Sequence, residues 1–158
     1  MSADHSSFLQ MAIALATRNV DQGLGGPFGA VIVRNGKIIA TGANSVTAMN
    51  DPTAHAEVIA IRNACRELED FQLDNCDIYA SCEPCPMCLA AIYWARARAV
   101  YYANTNLDAA AAGFDDSIIY REIALSPEQR SLAMVHIPIA GARESFERWQ
   151  ISQGRIEY

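Results

Sequence analysis

The chain has 158 residues, 51% of them hydrophobic, with 12 Lys and Arg against 18 Asp and Glu for a formal net charge of −6; at this length one domain buries roughly 70% of its unfolded surface without disulfide support. The acidic balance offers no basic footprint of the kind that neutralises a phosphate backbone, which argues against a long nucleic acid as partner. Near the start the first basic residue is Arg18 and the longest apolar run is MAIALA, too short for a bilayer and without a charged leader, so the expectation is a cytoplasmic protein with no membrane partner.

The first predicted element is a helix from about Ser7 to Asp21, where Phe8, Met11, Ala12, Leu15 and Ala16 fall at helical spacing until Gly23, Gly25, Gly26 and Pro27 stop it. GAVIVRNGKIIATG follows, and Asn35-Gly36 between two β-branched runs predicts a hairpin with a two-residue turn. Asn50-Asp51-Pro52-Thr53 opens a helix predicted over Thr53 to Glu69, Asp77 to Ser81 reads as a short buried strand, Pro86 to Ala95 as a helix and Ala99 to Ala103 as a strand. Strands alternating with helices after a hairpin imply a sheet with parallel strands and helices on its faces. Further on, Asp115 to Ile123 and Ala142 to Ser152 are predicted helices and Met134 to Ile139 a fifth strand. No repeat, low-complexity tract or linker interrupts the pattern, so residues 1–158 are expected to form a single domain with 142–158 as its C-terminal tail.

Five cysteines, Cys65, Cys76, Cys82, Cys85 and Cys88, are an odd set in a chain whose thiols are expected to stay reduced, which favours a metal over a disulfide. In SCEPCPMC (81–88), Pro86 suits a first helical position and puts Cys85 at the N-cap with Cys88 in the first turn. Side chains three apart on a helix start about 5–6 Å apart at Cβ, close enough for both sulfurs to chelate one zinc ion, and a helix N-terminus favours the thiolate. His55 in TAHAE is the best third ligand; His5 and His136 have weaker contexts. Residues two apart on a regular helix diverge by about 200°, so His55 and Glu57 converge on one ion only at the helix start that Pro52 implies. One His and two Cys leave tetrahedral zinc one position short, the arrangement of a catalytic site that holds water. Glu57 beside that water can take its proton and return it to a leaving amine. His-x-Glu with Pro-Cys-x-x-Cys is the signature of zinc nucleobase deaminases, present here as His55-Ala56-Glu57 and Pro84-Cys85-Pro86-Met87-Cys88. The expected cofactor is Zn2+, one per chain.

On these residues the sequence resembles the cytidine deaminase superfamily. Within it, GGPFGAVIV (25–33), NDPTAHAEV (50–58), SCEPCPMC (81–88), AIYWAR (91–96) and AGFDDS (112–117) resemble the bacterial guanine deaminase family over nearly the whole chain. The resemblance implies an α/β fold, a three-layer α/β/α sandwich of the cytidine deaminase type with a mixed five-stranded sheet. It also implies zinc-dependent hydrolytic deamination of guanine to xanthine and ammonia, in purine catabolism or salvage, with a small-molecule purine as substrate. The site residues that carry over are Glu57 and Asp116 for proton transfer, Asn44 holding the base, Phe28 stacking on it, and Ala56 supplying a backbone N–H near the reacting centre. Tyr158 resembles the family's terminal tyrosine, and the expectation is a homodimer in which a swapped C-terminal tail covers the site of the partner subunit.

Plainer readings stand beside these. Cys65 and Cys76 suit small core positions, and Cys82, ahead of the helix, a buried thiol at a strand end. Asn44 serves equally as a turn residue with its amide on the backbone, Asp115 and Asp116 as an N-cap pair, and Glu57 as a first-turn carboxylate. Trp94, Phe146 and Trp149 suit core positions, and Tyr158 at a chain end would ordinarily fray. Two other functions are open: a tRNA adenosine deaminase, whose HAE and PCxxC elements look nearly identical but which needs basic surface, and a zinc-stabilised binding module in which Glu57 is only a cap. Guanosine, cytosine, a pterin or a triazine as substrate is a matter of pocket shape.

Overall fold

The computed structural model describes residues 5–158. Asn35 and Gly36 both take positive φ, 52° and 75°, the backbone of the hairpin turn whose twist matches two antiparallel strands. Those strands are β1 (Gly29–Arg34) and β2 (Lys37–Ala43), with Arg34 opposite Lys37 and Gly29 opposite Ala43. β1 also pairs antiparallel with β3 (Cys76–Cys82), and β3 pairs parallel with β4 (Ala99–Asn104), so the sheet is mixed, in the order β2-β1-β3-β4. α4 (Pro86–Trp94) is the crossover that makes β3 and β4 parallel. All seven residues of β3 are buried, which fits its interior place in the sheet; its two polar side chains are partnered, Asp77 by Arg98 and Ser81 by the Gly29 N–H.

Alternation along β1 sorts its side chains onto two faces. Val31 and Val33 pack with Tyr79 and Ala12 beneath α1 (His5–Asp21), together with Phe8 and Leu15. Ala30 and Ile32 pack on the opposite face with Ile78, with Ala56, Ala60 and Ala64 of α3 (Ala56–Leu68) and with Ile92 of α4. Burying Ile32 and Ile78 fully contributes at most about 1.5–3 kcal/mol each. The sheet thus has a helix on one face and helices on the other, as the expected α/β/α layering has it. Glycines permit the close approach: a Cβ on Gly42 would lie 2.6 Å from the Ala60 nitrogen, and one on Gly29 would lie 2.8 Å from the Leu15 Cβ.

The sheet has four strands, and the fifth expected at Met134 to Ile139 does not form; that segment carries no regular element. Its alternating apolar residues imitate a strand, but a strand needs ladder partners, and Pro138 has no N–H to offer one. The segment also lies outside the compact unit that builds the sheet, which ends at Asp116. The first unit contains two further short helices, α2 (Val46–Met49) and α5 (Asn106–Ala111), the latter opened by a capping box between Thr105 and Asp108. A second unit, Ser117–Tyr158, contains α6 (Ser117–Ala124), a single 3-10 turn at Pro127–Gln129, and α7 (Glu144–Ile151). The predicted helices at Asp115 to Ile123 and Ala142 to Ser152 correspond to α6 and α7. No helix among the described residues is long and apolar enough to cross a membrane.

Candidate metal centre and active site

The start of α3 is set by the bonds around it. The Asp51 carboxylate accepts from the Thr53 N–H at 2.8 Å and from the Thr53 hydroxyl at 2.7 Å, a side-chain turn ahead of the helix. The Thr53 carbonyl then accepts from the His55 N–H at 2.8 Å and the Ala54 carbonyl from the Ser45 N–H at 2.9 Å, and the helix starts at Ala56 and not at Thr53. His55 becomes its N-cap with extended backbone, φ −70° and ψ 156°, and Glu57 falls in the first turn. Because His55 lies outside the helical repeat, the divergence expected of residues two apart does not apply, and both side chains reach one sulfur: His55 Nδ1 is 3.5 Å from Cys88 Sγ, and Glu57 Oε2 accepts from that sulfur at 3.4 Å.

The other half of the cluster is built as its sequence predicts. Pro86 opens α4, Cys85 is the N-cap in extended conformation, and Cys88 lies buried in the first turn. His55 Nδ1 is 3.6 Å from Cys85 Sγ, and the ligating atoms of His55, Cys85 and Cys88 all lie within 4.8 Å of one another. A Zn–N bond of about 2.05 Å and a Zn–S bond of about 2.3 Å at a tetrahedral angle set nitrogen and sulfur about 3.6 Å apart. The residues fit the metal before it is placed.

Their charges fit it as well. The hydrogen bond with Cys88, and next the one with His55, pull the Cys85 thiol down to about 4 against the opposing effect of burial. That same bond to Cys85, followed by burial, pushes the Cys88 thiol far up. His55 is raised mainly by its hydrogen bond to Cys85. Glu57, 7% exposed, is pushed up mainly by burial. A divalent cation removes the conflict among these crowded acceptors and keeps both thiols ionised.

The remaining predicted residues fall as follows. Ala56 is buried as the first residue of α3, where helix N–H groups have no partner within the helix. Phe28 precedes β1 and meets Phe114 edge to face, ring centroids 5.0 Å apart. Asn44 follows β2, its N–H donating to the Phe28 carbonyl at 3.0 Å, so hairpin pairing brings Phe28 and Asn44 side by side. Its side-chain Oδ1 accepts from the Gly26 N–H at 3.1 Å and the Val46 N–H at 3.4 Å, which makes it the turn residue of the plainer reading, while its amide nitrogen donates to no partner among the described residues. Asp116 is half-buried and raised, first by burial and next by the charge of Cys85, whereas Asp115 is exposed. Tyr158 belongs to the second unit. Cys82 ends β3 and donates to the Thr105 carbonyl at 3.4 Å, the strand-end thiol expected of it, and is raised by burial. Sequence reasoning missed Glu83, whose carboxylate accepts from the Asn106 N–H at 3.1 Å and ties the metal-binding turn to the start of α5; its position beside Pro84-Cys85 was the available signal.

Residues 2–104 match the family model described as the cytidine and deoxycytidylate deaminase zinc-binding region. Guanine deaminase of Bacillus subtilis is 54% identical over 155 residues, covering 98% of this chain and 99% of that one. The X-ray structure of guanine deaminase from Bacillus subtilis is similar with a TM-score of 0.96, at 54% identity and with 98% of this chain and 99% of that chain covered. A tRNA-specific adenosine deaminase of Agrobacterium fabrum is 42% identical over 100 residues, covering 63% of this chain and 65% of the relative.

Proposed function

The chain belongs to the cytidine and deoxycytidylate deaminase zinc-binding family, and we propose that it hydrolyses guanine to xanthine and ammonia. The observation that carries this reading is the 54% identity to a guanine deaminase across 98% of the chain. His55, Cys85 and Cys88 would hold one zinc ion per chain, a donor set with the right spacing and charge. Bound there, zinc supplies positive charge and lowers the pKa of water towards neutrality.

The protein's own residues do the rest. Phe28 offers its ring to the purine face, supported by the Phe114 edge. Asn44 donates from its amide nitrogen to the base, and Ala56 presents its N–H beside the reacting carbon. The oxygen of water bonds to the ring carbon bearing the amine, the carbon–nitrogen bond breaks, and ammonia leaves. Glu57 takes the proton from that water and returns it to the departing amine; a carboxyl that burial raises holds a proton more readily than a free one, which suits both halves of the task. Asp116, also raised, serves as a second proton-transfer group on the amine side. The tail 142–158 is assigned to a homodimer in which it is exchanged and Tyr158 closes the partner subunit's site. We place this activity in the cytoplasm, where reduced thiols persist, within purine catabolism or salvage.

One observation favours a second reading, the likeness to a tRNA-specific adenosine deaminase over 63% of the chain; the net charge of −6 opposes it, since RNA binding calls for basic surface. Ammonia release from guanine, guanosine, adenine, cytosine, cytidine and tRNA separates them. Guanine is expected to be the best of the panel, and faster deamination of tRNA or cytidine would overturn the substrate assignment while leaving the chemistry intact.

A further inference from the structure

α1 buries three residues, Ala12, Ala16 and Asn19, and a polar side chain on that face needs a reason. Asn19 is 5% exposed, and its Nδ2 donates to the Gly26 carbonyl at 2.9 Å and the Asn44 carbonyl at 2.8 Å. Both amide hydrogens are thus spent on two loops at the open end of the hairpin, one before β1 and one after β2. Those loops are bound to each other as well: the Gly26 N–H donates to Asn44 Oδ1, and the Asn44 N–H donates to the Phe28 carbonyl. Gly25 has no room for a side chain there; a Cβ would lie 3.1 Å from Asn19 Nδ2 and collide with the Asn44 carbonyl. The Asn44 side-chain oxygen is occupied by the backbone N–H groups of Gly26 and Val46. Among the described residues its amide nitrogen donates to no partner, so what it offers a ligand is N–H donors.

We propose that Asn19 is a positioning residue for substrate selection: by holding the backbone at Gly26 and Asn44 it fixes the Asn44 amide in the one orientation that offers donors to the base. The inference rests on the assignment of Asn44 to the base. It commits the recognised edge of the base to acceptors, a carbonyl oxygen or an unprotonated ring nitrogen, and rejects a base that turns an amine or a protonated nitrogen to that point, because two donors would then face each other without a partner.

The test uses the zinc-loaded full chain and two variants, Asn19→Leu, which removes both donors at similar volume, and Asn19→Ser, whose single O–H cannot bridge two carbonyls and which is the gentler change for folding. Each is expected to raise KM for guanine about tenfold, on the scale of one lost hydrogen bond, with kcat less affected and zinc content that of the wild type. In an Asn44→Ala background the same changes are expected to move KM by less than about twofold, since the group being positioned is gone. Equal KM factors in both backgrounds overturn the proposal, because Asn19 would then act on KM without Asn44; an unchanged KM with a lowered melting temperature overturns it as well and leaves Asn19 a residue of stability alone. A readout independent of turnover is the 15N–1H pair of the Asn44 side-chain amide. The Asn19 variants should shift it and speed its exchange with water; an unchanged pair in folded Asn19→Ser protein sinks the proposal whatever the substrate. A wild-type chain inactive on guanine, with the pair shifted in the variants, supports the positioning role and refutes the guanine reading.

Discussion

Glu57 is held where burial and function oppose each other. Its carboxyl is taken out of water at the start of α3, with one oxygen on Cys88 Sγ, a costly arrangement unless the carboxylate has work to do. Glu57→Gln is expected to keep zinc and the fold while lowering guanine turnover by about 10²–10⁴-fold, the usual scale for a lost general acid and base. Cys85→Ala should instead lose zinc, and with it stability, because metal binding is coupled to folding; metal analysis and turnover per zinc distinguish the two, and full zinc occupancy in Cys85→Ala would remove Cys85 from the ligand set. Asp116 poses a related question with a definite sign. Its carboxyl is raised above the usual 3.8, so the ionised form is less favourable in the folded state than in the unfolded one. Such a group subtracts from stability as pH rises through its unfolded value, fully so above its folded value, and has no effect at lower pH where both states are protonated. Asp116→Asn is therefore expected to slow guanine turnover without lowering the melting temperature at neutral pH. A silent Asp116→Asn beside a crippled Asp115→Asn would transfer the role to the neighbouring carboxyl.

At the scale of elements, the site depends on how near α3 lies to the sheet. A Cβ on Gly42 of β2 would collide with the Ala56 carbonyl and approach the Ala60 nitrogen to 2.6 Å, so Gly42→Ala must push away the turn that bears His55 and Glu57. The expected result is weaker zinc binding, measured against a competing chelator, together with a loss of about 1–3 kcal/mol in stability, the range for overpacking a filled interface. Unchanged zinc affinity would show that the helix start moves independently of the strand. What could be read in advance followed from residues whose constraint is local. Asn35-Gly36 fixed a turn by tolerating positive φ, and Pro86 fixed a helix start, so β1, β2, Cys85 and Cys88 came out where the sequence put them. The start of α3 did not, because the Thr53 and Ala54 carbonyls accept from the His55 and Ser45 N–H groups, and the bond from Ser45 exists only once the chain has folded back past β2. Asn19 escaped for another reason: its partners lie in loops 7 and 25 residues away, and only the folded hairpin brings them together. Its place on the apolar stripe of α1, three residues after Ala16, was the available hint.

For the whole molecule the unresolved weight lies in Ser117–Tyr158. The alternating apolar residues that imitated a strand at Met134 to Ile139 are not buried in the chain; Val135 is 79% exposed, and Ile151 of α7 is 81% exposed. Among the described residues none of this unit is buried, although Leu132, Ile137, Ile139, Phe146 and Ile156 are all large and apolar. A segment of that composition is not expected to remain in water, since exposed apolar surface on this scale marks an interaction surface. A second copy of the chain is the partner that is always present, and exchange of identical segments is a low-cost route to a symmetric dimer. Sedimentation should therefore find a homodimer. Deleting Arg155 to Tyr158 should preserve zinc content and secondary structure yet lower turnover, because a tail closing the partner subunit's site excludes water from it. Removing Tyr158 alone should raise KM or lower kcat, through lost contact with the base or looser closure. Wild-type kinetics in the truncated protein would reduce the tail to a passive terminus, and a fully active monomer would rule out closure by a partner, leaving the exposed apolar residues of α7 to be covered in some other way.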